Sequence, residues 1–214
     1  MKQHALVLAA TLTLGCGGLP ALRSLPEPRQ SEVSQRCRGI FPQGDWRATH
    51  LVHFHLKRGT SGSFLGVVAP THDGSGFEVV MLSPEGFTLF DATYTPDGVR
   101  VRRAVPPLDA SGFGRVMLDD VRLLLLAPDG PLVEVGESEA GEATCRWRRR
   151  DGKVVEAILH SPGKTRLRLY TNEKLSREAL LLGGSQQQRL APEMQLQAFG
   201  AVGYRLQLQL IGTE

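Results

Sequence analysis

Residues 202–211 read VGYRLQLQLI. Val202, Tyr204, Leu206, Leu208 and Leu210 share one side of the chain, and Arg205, Gln207 and Gln209 share the other. That is the alternation of a strand with one dry and one wet face, as in an antiparallel sheet whose outer side meets solvent. The same pattern runs backwards. Residues 49–57 (THLVHFHLK) set Val52, Phe54 and Leu56 against Leu51, His53 and His55. Short apolar runs at 63–69, 77–82, 87–95 and 99–105 follow, separated by RGTSG (58–62), PTHDGSG (70–76), PEG (84–86) and PDG (96–98). Gly, Pro and Asp supply the dihedrals that tight hairpins need, so the first half is predicted to be a meander of about five strands. In the second half, 144–150 and 153–160 flank Asp151-Gly152, a strong hairpin signal. Further strands are expected at 164–171 and 193–199, for a total of about ten.

Two segments depart from the strand pattern. GRVMLDDVRLLLL (114–126) places Val116, Met117, Val121, Leu124 and Leu125 at helical spacing, with Asp119, Asp120 and Arg122 on its solvated surface. Asp109 or Ser111 is the expected cap, and Pro128 the stop. SREALLL (176–182) reads as a short helix. The fold class is therefore mainly β with one or two helices, the longer helix laid across a sheet.

The 214 residues are 41% hydrophobic with a net charge of +3, which excludes global disorder. They leave a single domain of ordinary size. The N-terminus is read apart from it. Lys2, the uncharged run 5–14 and the small residues Gly15-Cys16-Gly17-Gly18 form a signal peptide over 1–15. The run is too short to span a bilayer, which takes about 20 apolar residues. Residues 16–36, with three prolines and two glycines, read as an extended tether, and the domain occupies 37–214. Once 1–15 are removed, 24 basic residues face 22 acidic ones, so net charge gives no reason to expect nucleic acid as a partner.

Cys16 directly after Leu14-Gly15 resembles the bacterial lipoprotein cleavage box, in which that cysteine is acylated; Thr13 stands where the family pattern prefers leucine. The alternative is a secreted protein cut nearby. Gly17 is not the aspartate that, by the same resemblance, favours inner-membrane retention, so the expected location is the periplasmic face of the outer membrane. Cys37 and Cys145 remain as a pair in an oxidising compartment, read as a disulfide with two separate buried thiols as the alternative.

With its signal, tether, meander and helix, the chain resembles the LolA/LolB-like periplasmic proteins. More closely, it is similar to a proteobacterial outer-membrane lipoprotein family of uncharacterised role with that half-barrel fold. The matching pieces are FLGVVAPTHDGSGFEVVMLSPEGFTLFD (64–91), the helix running into Ala127-Pro128-Asp129-Gly130, and Gly203-Tyr204-Arg205-Leu206. Together they cover most of residues 40–211. The resemblance implies an incomplete antiparallel β-barrel lidded by helices, whose concave apolar face binds lipid or lipoprotein acyl chains. Phe54, Leu65, Val67, Leu89, Val121, Leu124, Leu125, Leu206 and Leu208 are the ligand-cavity candidates, against the plain alternative that they are core. The competing function is a structural or interaction lipoprotein of a cell-envelope assembly, with a filled core and an envelope protein as partner.

Catalytic signatures are absent: no G-x-S-x-G, phosphate-binding glycine loop, HExxH or dinucleotide fingerprint occurs. No enzyme activity and no cofactor are expected. His53 and His55 share a strand face near His50 and His72, but no cysteine or carboxylate stands at ligand spacing, so no metal is expected either. Charge is segregated along the chain. Residues 119–142 carry seven acids against Arg122, and 141–170 carry eight basic residues against three acids. Arg146, Arg148, Arg166 and Arg168 form a basic stripe suited to anionic headgroups or an acidic partner, or else a solvated face.

Overall fold

The computed structural model describes residues 19–57, 59–71, 76–110, 112–183, 190–200 and 203–214. Two short elements open the chain, β1 (Arg23–Ser24) and helix α1 (Glu27–Arg38). The meander follows as β2 (Ala48–Leu56), β3 (Ser61–Pro70), β4 (Phe77–Leu82), β5 (Thr88–Thr95) and β6 (Gly98–Ala104). Helix α2 (Phe113–Leu125) leads to β7 (Leu132–Glu137), β8 (Ala143–Arg148), β9 (Val154–Ser161) and β10 (Lys164–Thr171). The chain closes with β11 (Lys174–Leu182), β12 (Glu193–Ala198) and β13 (Tyr204–Thr213).

All thirteen strands form one antiparallel sheet in the order β1-β7-β8-β9-β10-β11-β12-β13-β2-β3-β4-β5-β6. Its ends, β1 and β6, do not pair with each other, so the sheet is an incomplete barrel. Register puts one apolar rung across its middle: Val135, Cys145, Ala157, Leu167, Ala179, Leu196, Leu206, Phe54 and Gly62 stand side by side on successive strands. Large residues alternate with Ala and Gly along much of this rung, which lets neighbours interdigitate on a curved face. Both helices pack on this concave side. α1 is tied there by the Cys37–Cys145 disulfide and buries Val33. α2 buries Leu118, Leu123, Leu124 and Leu125.

Several sequence expectations are corrected. The stretch read as an extended tether is helical from Glu27 to Arg38, and before that Arg23–Ser24 pairs with β7. Pro at the first helical turn and the burial of Val33 and Cys37 against β7 and β8 replace the periodicity that α1 lacks. Residues 176–182 are strand, not helix. Hydrogen bonding on both sides, to β10 and β12, overrides the helix propensity of Ala and Leu. Asp109 does not cap α2: the N-cap is Gly112, at φ 91° with no side-chain cap bond, and Ser111 lies outside the described residues. Asp120 is buried rather than solvated, whereas Val116 is exposed. Val202 and His72 also lie outside the described residues.

The outer face holds a buried charge cluster. Arg146, 3% exposed, gives Nε and Nη2 to Glu156 Oε2 at 2.7 and 2.6 Å, and Nη1 to Glu134 at 2.8 Å. Its Nη2 also reaches the Pro20 carbonyl at 2.6 Å, pinning the residues before β1 to the sheet. Tyr170 Oη donates to Glu156 Oε1 at 3.2 Å, and Arg168 Nε to Glu178 at 2.8 Å. The bond from Arg146 to Glu134 joins the basic block 141–170 to the acidic block 119–142.

Candidate functional site

The concave face is not uniformly covered. On β4, β5, β11 and β12 the inward apolar residues Phe77, Phe90, Leu181 and Leu196 are buried. On the central strands Ala48, Val52 and Val68 are buried too, but Phe54, Phe64, Tyr204, Leu206, Leu208 and Leu210 point inward by register yet remain half-buried. Phe54 and Phe64 rings lie 6.3 Å apart, and Phe54 lies so close over Gly62 that a Cβ there would sit 2.8 Å from the ring. At the β6 edge the same face continues to Val99 and Val101, 41% and 48% exposed. These residues form an apolar concavity that the two helices leave partly open.

α2 is held across this face by neighbouring carboxylates that point to opposite sides. Asp120 faces inward, where Arg177 Nε donates to its Oδ1 at 2.8 Å and Tyr204 Oη donates to its Oδ2. Burial holds the Asp120 carboxyl above the usual carboxylate range, although Arg177 and Tyr204 oppose it. Burial and the adjacent Asp120 push the Tyr204 hydroxyl well up. Asp119 turns to the β8–β9 hairpin, taking Lys153 Nζ at 2.6 Å and Arg149 Nη2 at 3.0 Å. Burial pushes Asp119 up, but those two cations outweigh it and its carboxyl titrates below its ordinary value.

Where α2 ends, a cleft of about 610 Å³ opens between the two arms of the sheet. Phe77 and Tyr94 come from one arm, Val155 from the other, and Leu123 and Leu126 from the helix. Its polar wall is Arg122, Arg149, Arg150, Asp129 and Asp151. The loop through Pro128-Asp129-Gly130 closes that wall and runs against β8, where a Cβ on Gly130 would sit 1.8 Å from the Arg148 carbonyl oxygen. Only glycine permits so close an approach. A second cleft, about 430 Å³, lies between the end of α1 and this loop, over Phe41 and Trp147.

The nine cavity candidates separate into distinct environments. Phe54, Leu206 and Leu208 lie on the half-open strip, and Val121 is half-buried on α2. Leu124 and Leu125 are core, at 4% and 3% exposure. Leu65 and Val67 oppose Leu51 and Thr49, on the outer face, because period two assigns the inner face of β3 to Phe64, Gly66 and Val68. Leu89 sits at the register shift between Thr88 and Phe90. None of the nine lines either cleft. Of the basic stripe, Arg146 is buried and Arg168 paired, while Arg148 is exposed. Arg166 is half-buried without an ion pair among the described residues. His53 bonds Ser63 on the outer face, and among the described residues no group of three His, Cys, Asp or Glu is placed to hold a metal.

Sequence reasoning missed the cleft and its arginines because they come from turns that meet only in three dimensions. The one available signal was the abutting acidic and basic blocks, which correspond to the paired wall.

No protein-family model matches the sequence, and no curated protein is similar to it. Solved structures are. A LolA superfamily protein from Nitrosomonas europaea superposes with a TM-score of 0.52 at 10% identity, over 86% of this chain and 92% of that one. A candidate outer membrane lipoprotein-sorting domain from Vibrio parahaemolyticus gives 0.47 at 10% identity, over 88% and 93%. A DUF1329 family protein from Desulfovibrio piger gives 0.48 at 11%, over 89% and 93%. The conclusion rests on the first of these, together with the open antiparallel sheet and the helices on its concave side: this chain has a LolA-like fold.

Proposed function

We propose that this chain is a lipoprotein anchored through Cys16 to the periplasmic face of the outer membrane, and that it binds lipid or lipoprotein acyl chains on its concave face. The observation that carries this reading is the strip Phe54, Phe64, Leu206, Leu208 and Leu210, inward-facing and apolar yet half-buried on the central strands. A folded core normally buries such side chains, and covering them with an acyl chain stabilises the complex by about 0.8 kcal/mol per buried CH₂. The test is solvent extraction and mass spectrometry of the full chain recovered from membranes, beside its Leu208→Glu variant. Stoichiometric non-covalent lipid on the parent, lost from a folded variant, is expected. Lipid at the level of an unrelated lipoprotein would overturn the reading.

The second reading is an interaction lipoprotein without ligand. The dense burial of Leu118, Leu123, Leu124 and Leu125 under α2 favours it, since that half of the concavity is already filled. An extract free of lipid selects it.

A further inference from the structure

The cleft beside α2 combines an apolar floor with guanidinium groups that the protein itself does not saturate. Arg149 is 3% exposed, and its Nη2 is taken by Asp119 and Asp151. Its buried Nε has no hydrogen-bond partner among the described residues; the Asp129 carboxylate stands 3.8 Å away, beyond hydrogen-bond reach. Arg150, next along the chain, lines the same cleft and forms no ion pair among the described residues. Both acids in the lining are already engaged, Asp129 by Arg122 at 2.9 Å and Asp151 by Arg149 at 2.9 Å. With Asp119 and Lys153 behind the wall, four cations face three carboxylates among the described residues, which leaves one positive charge and a buried N–H donor unanswered among them. A buried donor without an acceptor is unfavourable, and an anionic oxygen is the strongest acceptor it can be offered.

We infer that this cleft is a headgroup subsite for an amphiphile whose carboxylate or phosphate is held by Arg149 and Arg150. Phe77, Tyr94, Leu123 and Val155 receive the first carbons of its apolar chain. A planar guanidinium suits either anion, because both present paired oxygens. The cleft volume, about 610 Å³, is in the range that takes a whole small amphiphile, headgroup and chain together. It is the acyl-binding reading above that calls for such a ligand, and this inference rests on it.

The experiment uses the full chain as a Cys16→Ser variant, so that no anchor of its own competes. The fluorescent fatty acid cis-parinaric acid is titrated beside its uncharged methyl ester. The acid is expected to bind at least tenfold more tightly than the ester. Arg150→Gln, which removes an exposed side chain, is expected to weaken the acid about tenfold, leave the ester unchanged and leave the thermal midpoint unchanged. Arg149→Gln should likewise weaken the acid and leave the ester unchanged wherever circular dichroism shows it folded, at a lower thermal midpoint because buried ion pairs are lost. Competition identifies the source of the anion: displacement by oleate at lower concentration assigns a carboxylate, and by lysophosphatidic acid a phosphate. Equal binding of acid and ester, insensitive to Arg150→Gln, overturns the subsite and leaves the acyl-binding reading standing. Binding of neither probe overturns both.

Discussion

His50 carries a pH dependence that can be worked out in advance. It lies on β2 facing inward, 2% exposed, between Gly66 on β3 and Leu210 on β13. Its Nε2 is buried without a hydrogen-bond partner among the described residues. Burial lowers its pKa from 6.5 to about 4, because the imidazolium would lose its water there. On acidification the unfolded chain therefore takes up this proton first, and stability falls as pH drops through the window between those two values. Relative to pH 7, the loss from this one group is about 1 kcal/mol at pH 5.5 and about 2 kcal/mol at pH 4.5, approaching 3 kcal/mol near pH 4. His50→Leu has no proton to bind and keeps an apolar side chain of similar size at the same site. Urea unfolding of both proteins at pH 7, 5.5 and 4.5 measures the difference, since the other titrating groups are common to both. The stability gap should move in favour of the leucine variant by those amounts. Parallel stability curves would refute the reasoning and mean that His50 finds an acceptor or water on acidification.

Two further outcomes follow from the buried groups on the concave face. Asp120→Ala strands Arg177 beside Tyr204 under α2 and should cost about 3–5 kcal/mol by denaturant midpoint; a loss below about 1 kcal/mol would show that α2 is held by its leucines alone. Replacing Cys37 and Cys145 together by Ala frees a loop spanning 108 residues. Chain entropy for a loop of that size puts the loss at about 4.7 kcal/mol. An unchanged urea midpoint would mean that α1 stays docked without the bond.

The amount legible in the sequence differed from element to element. The meander 48–104 and the closing strand were readable because alternation and turn residues are local properties. The same holds for α2, where Met117, Val121, Leu124 and Leu125 recur at spacings of three and four. α1 was not, since EPRQSEVSQRCR has little apolar periodicity. It is a helix in place because Val33 and Cys37 find β8 and because its first turn carries a proline. Residues 176–182 misled in the opposite direction: Ala179, Leu180 and Leu181 suit a helix, and only pairing on both edges makes them strand.

For the candidate site the division is sharper. Which residues are apolar and inward on β2 and β13 follows from a period of two, so Phe54, Leu206 and Leu208 could be named from sequence. Whether an inward residue is open or filled depends on what packs over it. Leu124 and Leu125 became core, while Leu206 stayed half-open. The arginine wall was foreshadowed in sequence only by the abutting acidic and basic blocks: Arg122, Arg149 and Arg150 come from the end of a helix and from a hairpin, and they share a cleft because the open sheet curls its two arms around α2. Alternation along one strand is encoded residue by residue, whereas a cavity is the space left between elements distant in the chain, and only the folded arrangement sets its shape and charge.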